Sequence, residues 1–135
     1  DFNGKGKSNN NQRKKIMTNK DFENDANLIV MMFNPTCGHC QEQTLMMGRS
    51  SDLFKKTKVV LLATLIMKPY LQDFATFTEP AAHPYMYLGV DSTDFINNIF
   101  LYQQLPQINI YDHERKLLKT YTGNVPMDTL KQFIE

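Results

Sequence analysis

The chain holds only two cysteines, Cys37 and Cys40, separated by Gly38 and His39. Two cysteines at this spacing on the first turn of a helix can reach disulfide geometry, so the pair suits reversible oxidation and reduction. The amino terminus of a helix offers unpaired N–H groups and a partial positive charge, and both favour thiolate over thiol. The sequence therefore predicts a redox-active dithiol centre.

The two sulfurs have different predicted roles. Cys37 is nearer the turn and is expected to be the accessible nucleophile, whereas Cys40 should be shielded and should resolve the mixed disulfide formed at Cys37. The intervening Gly38 and His39 are expected to modulate the pair. An imidazolium at His39 would stabilise the thiolate and thus the reduced state, making the couple a stronger oxidant. The alternative is that His39 is simply an exposed turn residue.

A metal carrier is the alternative function. Zinc needs about four ligands, and those beyond the two cysteines would have to come from His39, His83, His113 or carboxylates at no recognisable spacing. Four of the eight methionines lie near the cysteines in sequence, which suggests copper delivery. Methionine in strands and helices is also an ordinary core gap-filler, so zinc or copper binding is kept as the alternative to thiol exchange.

Two further uses of the pair fit the sequence less well. A purely structural disulfide across so short a loop would add little stability. Peroxide reduction would require a threonine three residues before Cys37, and Asn34 stands there.

The elements before and after the pair are predicted from the apolar pattern. Leu28–Phe33 is a continuous apolar run that Asn34-Pro35 ends, which indicates a central strand buried on both faces. From Cys37 the apolar spacing becomes helical and continues to Gly48. A second buried strand over Val59–Ile66 would be parallel to the first, with the helix as crossover.

The next elements are shorter. Apolar residues within 70–77 predict an amphipathic helix, Tyr85–Val90 predicts a strand, and the spacing within 95–100 predicts another helix. After Leu105-Pro106, alternating segments at Gln107–Tyr111 and Lys116–Tyr121 predict a hairpin, which makes the sheet mixed.

A closing helix completes the prediction. Pro126 is expected near its first position, and apolar residues at helical spacing follow to the carboxyl terminus.

Composition limits the class of protein. The 135 residues carry fifteen basic and fourteen acidic side chains, a formal charge of +1, and 41% of them are hydrophobic. This is enough apolar material for one core and argues against a broad nucleic-acid-binding surface, so no nucleic-acid partner is expected. No run of about 20 apolar residues is present, which excludes a predicted membrane-spanning helix.

Basic residues are concentrated at the amino terminus. Residues 1–20 contain six lysines or arginines and one aspartate. This composition predicts a basic flexible leader or linker, with membrane-headgroup contact as the alternative, before a single domain over residues 21–135. Because the chain begins with Asp1 and shows no charged-then-apolar leader, any secretion signal is expected to have been removed or to lie outside this sequence.

The predicted order of elements resembles the thioredoxin fold over roughly residues 25–135. It comprises a strand, the Cys-Gly-His-Cys helix, a second strand, and Pro106 before a hairpin and a last helix. The extra helix and strand between Pro69 and Val90 are similar to the insertion of the TlpA/ResA-like branch, the bacterial extracytoplasmic thiol-disulfide oxidoreductases. The resemblance implies an α/β fold, a thioredoxin-like domain over 21–135 whose central mixed β-sheet is flanked by helices, with this helix-strand insertion before a cis-proline.

The resemblance also implies site residues, partners and location. Pro106 would be the cis-proline that binds substrate backbone opposite the disulfide, and Leu105, Thr36 and Pro35 would contribute to the same substrate site. The implied activity is dithiol/disulfide exchange with protein disulfides or dithiols, maintained by an upstream redox partner protein and without a cofactor. The implied location is the bacterial periplasm or another extracytoplasmic compartment, with tethering by a segment before residue 1 as one form of membrane contact.

Two positions depart from the family pattern. Thr36 stands where a tryptophan usually precedes the first cysteine, and Met31 stands where an acidic residue is often found. No buried carboxylate proton acceptor is therefore assignable, although Glu42 could act through water. The Cys-Gly-His-Cys sequence also occurs in protein disulfide isomerases, so the redox direction stays open.

Overall fold

In the described residues a seven-stranded mixed β-sheet forms the centre of the fold, with the strand order β2-β1-β5-β4-β3-β6-β7. The computed structural model describes residues 2–4, 15–17, 25–91 and 105–135. The strands are β1 Phe2–Gly4, β2 Lys15–Met17, β3 Leu28–Phe33, β4 Lys58–Thr64, β5 Met86–Asp91, β6 Gln107–Tyr111 and β7 Leu117–Thr122. The α-helices of the described residues are α1 Gly38–Gly48, α2 Leu71–Thr78 and α3 Met127–Leu130, and 3₁₀ turns are found at Ser51–Leu53, Leu65–Tyr70, Pro80–Ala82 and Lys131–Phe133.

Three neighbouring strands of the sheet are parallel. β3 pairs with β4, and β4 pairs with β5, with α1 as the crossover that a parallel β3–β4 pair requires. β6 runs antiparallel to β3, with Gln107 opposite Met32, and β7 runs antiparallel to β6. The carboxyl ends of β3, β4 and β5 therefore lie at the same sheet edge as the amino end of β6.

The core has a large and a small part, one on each face of the sheet. Ile29 and Phe33 belong to the main core, which also receives buried side chains from all three helices. Leu28 packs with Val60 in a smaller cluster on the opposite face. β3 is thus buried on both faces, as its uninterrupted apolar run predicts. The ring of Phe74 in α2 lies 4.5 Å from that of Phe33, which connects α2 to the strand leading into the cysteines.

β4 ends two residues earlier than the apolar pattern predicts. The strand ends at Thr64, and the 3₁₀ turn begins at Leu65. Pairing with β3 reaches only Ala63, because β3 ends there and turns towards the cysteines. Leu65 and Ile66 therefore extend beyond the β3 ladder, and they are 43% and 74% exposed.

The helix and strand expected between Pro69 and Val90 are present as α2 and β5. Leu71 and Phe74 are buried, whereas Phe77, expected on the same apolar stripe, is 59% exposed. The helix predicted within 95–100 lies outside the described residues.

The predicted hairpin is confirmed as β6 and β7. In its turn the Asp112 carboxylate accepts hydrogen bonds from the N–H groups of Glu114 and Lys116. The closing helix is shorter than predicted: α3 has four residues and continues as a 3₁₀ turn. Pro126 is its N-cap, next to the first helical residue as expected. Leu130 is fully buried and attaches this segment to the core.

Residues in the expected leader contribute two strands to the sheet. β1 pairs antiparallel with both β2 and β5. Strand pairing uses main-chain N–H and C=O groups, and the two strands contain the few large apolar residues of this segment, Phe2, Ile16 and Met17. The boundary at residue 20 and the flexibility of the leader remain predictions. Within the described parts of the chain, no helix has the length and apolarity needed to cross a bilayer.

Candidate active site

A tight turn connects β3 to α1 and presents Cys37. The Cys37 N–H donates to the Asn34 carbonyl at 3.0 Å, and the Asn34 side-chain oxygen accepts from the N–H and hydroxyl of Thr36 at 2.9 and 2.8 Å. Asn and Pro at these positions favour a turn, because Asn bonds its own main chain two residues on and Pro has the required φ. Pro35 is buried and Thr36 is exposed, so the turn is anchored on one side and solvent-facing on the other.

The two thiols lie in different environments. Cys37 is half-buried at the N-cap of α1, and its Sγ accepts a hydrogen bond from the Cys40 N–H at 3.3 Å. Cys40 is fully buried within the main core. Both are free thiols. One sulfur is thus accessible and receives an amide hydrogen bond. The other is enclosed one turn further along the helix.

Burial raises the pKa of the Cys40 thiol well above its ordinary value near 9, and a hydrogen bond to the Cys37 side chain raises the pKa further. The main chain of Asn34 acts in the opposite direction and does not cancel the effect of burial. Removal from water disfavours the charged form of an acid. Cys40 therefore keeps its proton at neutral pH and is not the attacking thiolate of the free protein.

The raised pKa of Cys40 predicts a specific pH dependence of stability. Above about pH 9 the unfolded chain loses this proton while the folded chain keeps it. Deprotonation then stabilises only the unfolded state. The stability that the protonated Cys40 thiol provides below about pH 9 is therefore lost as the pH rises. Relative to Cys40→Ser, the free energy of unfolding of the reduced protein should fall by up to about 1.4 kcal/mol per pH unit. Urea denaturation between pH 8 and 10.5 with a phosphine reductant measures this, and parallel curves for the two proteins would contradict it.

The cis-proline expectation is confirmed. The Leu105–Pro106 peptide bond is cis, and Pro106 is buried immediately before β6. Since Gln107 pairs with Met32, Pro106 stands next to the end of β3, where the chain turns towards Cys37. Leu105 is half-buried and packs on the core cluster that contains Cys40. The sheet thus brings the predicted site residues from 35–40 and 105–106 to one edge.

A buried glutamine also belongs to this region. The buried residues of α1 include Cys40, Thr44 and Met47, which the helical spacing predicts, and also Gln43. The Gln43 amide donates to the Val125 carbonyl at 3.1 Å and accepts from the Val125 N–H at 2.6 Å. Glutamine on a helix is usually exposed. Only its position beside Thr44, on the Cys40 face, could have indicated burial from the sequence.

The residues between the cysteines face solvent. A Cβ placed on Gly38 would meet no atom within 4 Å. His39 is 75% exposed, and its Nδ1 lies 3.9 Å from the Glu42 carboxylate. Glu42 is also exposed and accepts a hydrogen bond from the Asn124 side chain at 2.8 Å. Met31, at the position often acidic in the resembling family, is fully buried.

The described residues do not form a ligand set for the alternative function, a zinc or copper carrier. Among residues 25–91 and 105–135, no three His, Cys, Asp or Glu side chains are grouped as a metal site requires. His83 packs against Tyr85 with ring centroids 5.5 Å apart, and His113 lies in the hairpin turn, 3.9 Å from Glu114.

The chain has the thioredoxin fold: a mixed sheet flanked by helices, with a cysteine pair at the start of α1 and a cis-proline at the adjacent strand. Among similar solved structures is the thioredoxin domain of a thiol-disulfide oxidoreductase from Bacteroides vulgatus, at 14% identity and a TM-score of 0.67, covering 88% of this chain and 86% of that one. StoA from Bacillus subtilis has 14% identity and a TM-score of 0.65, with 84% and 85% covered.

A third similar structure is a secreted Mycobacterium tuberculosis disulfide oxidoreductase homologous to E. coli DsbE, at 11% identity and a TM-score of 0.65, with 84% and 82% covered. No protein-family model matches the sequence, and no curated protein matches it. The structural likeness confirms the predicted fold.

Proposed function

We propose that the protein is a thiol-disulfide oxidoreductase that acts on protein disulfides through Cys37 and Cys40. The observation that carries the proposal is the asymmetry of the pair. A partly exposed sulfur accepts an amide hydrogen bond at the helix start, and a fully buried thiol lies one turn later. A nucleophile and a resolving thiol need this difference in access.

The reaction consists of two exchange steps. The Cys37 thiolate attacks one sulfur of a substrate disulfide, the substrate S–S bond breaks, and the departing thiolate takes up a proton. Cys40 then loses its proton, attacks Cys37 in the mixed disulfide, and releases the second substrate thiol. Two electrons pass from the dithiol to the substrate, and Cys37 and Cys40 end as a disulfide. An upstream redox partner protein restores the dithiol, and no cofactor takes part.

The proton of Cys40 must leave in the second step. Its raised pKa keeps the thiol protonated until the mixed disulfide has formed. With Met31 at the buried position, no carboxylate there accepts the proton. We assign its removal to water, with the exposed Glu42 as a secondary acceptor through water.

The substrate main chain would bind at the cis-proline. Pro106 lacks an N–H and opens β6 beside the end of β3, so an extended segment around the substrate cystine can approach the sheet edge here. Leu105, Thr36 and Pro35 complete the proposed contact area around Cys37. Gly38 and His39 face solvent beside the pair, and His39 when protonated would favour the Cys37 thiolate.

We propose an extracytoplasmic location. A secreted protein is among the similar structures, and the strongly basic residues 1–20 suit contact with a membrane surface. The bacterial periplasm, with or without a membrane tether before residue 1, is consistent with both the secreted similar structure and the basic amino-terminal residues.

Reduction of insulin by dithiothreitol tests the proposed activity. The wild-type protein should accelerate precipitation of the reduced B chain in proportion to its concentration. A rate equal to that of dithiothreitol alone would overturn the proposal. Metal analysis of the freshly purified protein tests the alternative, since stoichiometric zinc or copper that is lost from the Cys37→Ser/Cys40→Ser variant would favour a carrier.

A further inference from the structure

Gln43 connects the cysteine helix to a distant part of the chain. Its side chain is fully buried, and both ends of its amide bond the main chain of Val125, at 3.1 and 2.6 Å. Because residues three apart share a helix face, Gln43 lies on the same side of α1 as Cys40. The Val125 N–H and C=O are thereby satisfied by a side chain instead of by regular secondary structure.

The segment that Gln43 holds leads to the cis-proline. Residues 123–126 connect β7 to α3, and here they are called the 123–126 connection. The Gly123 N–H donates to the Pro106 carbonyl at 2.8 Å. Between these contacts, the Asn124 amide donates to Glu42 at 2.8 Å. Glu42 and Gln43 of α1 thus bond Asn124 and Val125 of the connection. Gly123, the residue before Asn124, bonds Pro106.

We propose that Gln43 is a positioning residue for Pro106: through the 123–126 connection it sets the place of the cis-proline relative to Cys37. This inference rests on the proposed function and names a determinant of protein-substrate binding within it. A polypeptide disulfide must contact Pro106 and meet Cys37 at the same time, so its binding depends on their separation. A small disulfide needs only Cys37.

Gln43 takes no part in the hydrogen bonds of the Cys37 N–H and sulfur. The Cys37 N–H bonds Asn34, and its sulfur accepts from the Cys40 N–H. Replacing Gln43 by the similarly sized Met would leave the Val125 main chain without its partners in a buried setting. The connection would then shift, and Pro106 with it, while the turn at Cys37 would keep its own hydrogen bonds.

Kinetics with two kinds of disulfide separate these effects. Gln43→Met should raise the KM for insulin about tenfold. Its second-order rate with the small aromatic disulfide 5,5′-dithiobis(2-nitrobenzoic acid) should stay within about twofold of wild type. Gln132→Met is the matched control, because Gln132 is exposed and, among the described residues, its side chain bonds only the nearby Thr129 carbonyl, at 2.9 Å.

A double-mutant cycle with Pro106→Ala tests the route of the effect. If Gln43 acts through Pro106, Gln43→Met should change the insulin KM by less than about twofold in the Pro106→Ala background. An unchanged KM, an equal loss with the small disulfide, or the full effect in that background would overturn the inference. If Gln43→Met does not fold, the exposed Asn124→Ala variant decides by the same criteria, with an expected rise in KM of about threefold.

The outcome also separates this inference from the proposed function. A wild-type protein active on insulin with a normal KM in the folded Gln43 variant would overturn the positioning role alone. A wild-type protein that reduces neither disulfide would overturn the proposed function, and the positioning role with it.

Discussion

Replacing Cys37 by Ser is expected to abolish disulfide exchange, with insulin reduction falling to the rate of dithiothreitol alone. A serine hydroxyl is far less acidic than a thiol and does not form the mixed disulfide. The remaining sulfur, Cys40, is fully buried and has a raised pKa, so it cannot replace Cys37 as the attacking thiolate. The initial rate of insulin precipitation measures the effect.

The change at Cys37 should not disturb the fold. The side chain is half-buried, and Ser can still accept the hydrogen bond from the Cys40 N–H at the N-cap. Circular dichroism and urea denaturation should therefore match those of wild type within about 1 kcal/mol. Gln132→Ala serves as a surface control with unchanged turnover. Exchange activity that survives in a folded Cys37→Ser protein would remove Cys37 from the mechanism.

Replacing Cys40 by Ser is expected to stop the reaction halfway. Attack by Cys37 is still possible, but the resolving sulfur is absent, so the mixed disulfide with the substrate accumulates. Mixing the reduced variant with insulin without a reductant should convert most of the protein to a covalent adduct. In the wild-type protein, the adduct should stay below about a tenth of the total. Non-reducing electrophoresis and intact mass spectrometry measure the adduct.

Two controls identify the trapped species. Dithiothreitol should release it completely, and the Cys37→Ser/Cys40→Ser variant should form none. A Cys40→Ser protein that turns over without an adduct would show that Cys40 does not resolve the intermediate.

The parts of the fold that the sequence predicts well are those specified by local patterns. The apolar run of β3, the turn residues Asn34 and Pro35 and the helical spacing after Cys37 agree with one another, and they place the cysteines correctly. Pro106 was expected as the cis-proline from the family resemblance, and its place at the entry of a strand, where a missing N–H is tolerated, agrees with that assignment.

Other features depend on contacts that are remote in sequence. β4 ends where its neighbour β3 turns away, so its length is set by pairing and not by its own apolar run. Gln43 is buried because Val125, 82 residues away, bonds both ends of its side-chain amide. Strands β1 and β2 form within a mostly polar segment, where main-chain pairing joins them to each other and joins β1 to β5. In each case the feature depends on a pairing or bonding partner that is distant in sequence and is brought close only by the tertiary structure.

The most direct test of the account is a redox titration of the Cys37–Cys40 pair in glutathione buffers, with free thiols counted by mass after alkylation. We expect a single two-electron transition in which both cysteines oxidise together, at a potential between about −270 mV, typical of a reductant, and about −120 mV, typical of a strong oxidant. Oxidation of Cys37 only to a glutathione adduct, with Cys40 still alkylatable after unfolding, would contradict a reversible dithiol centre.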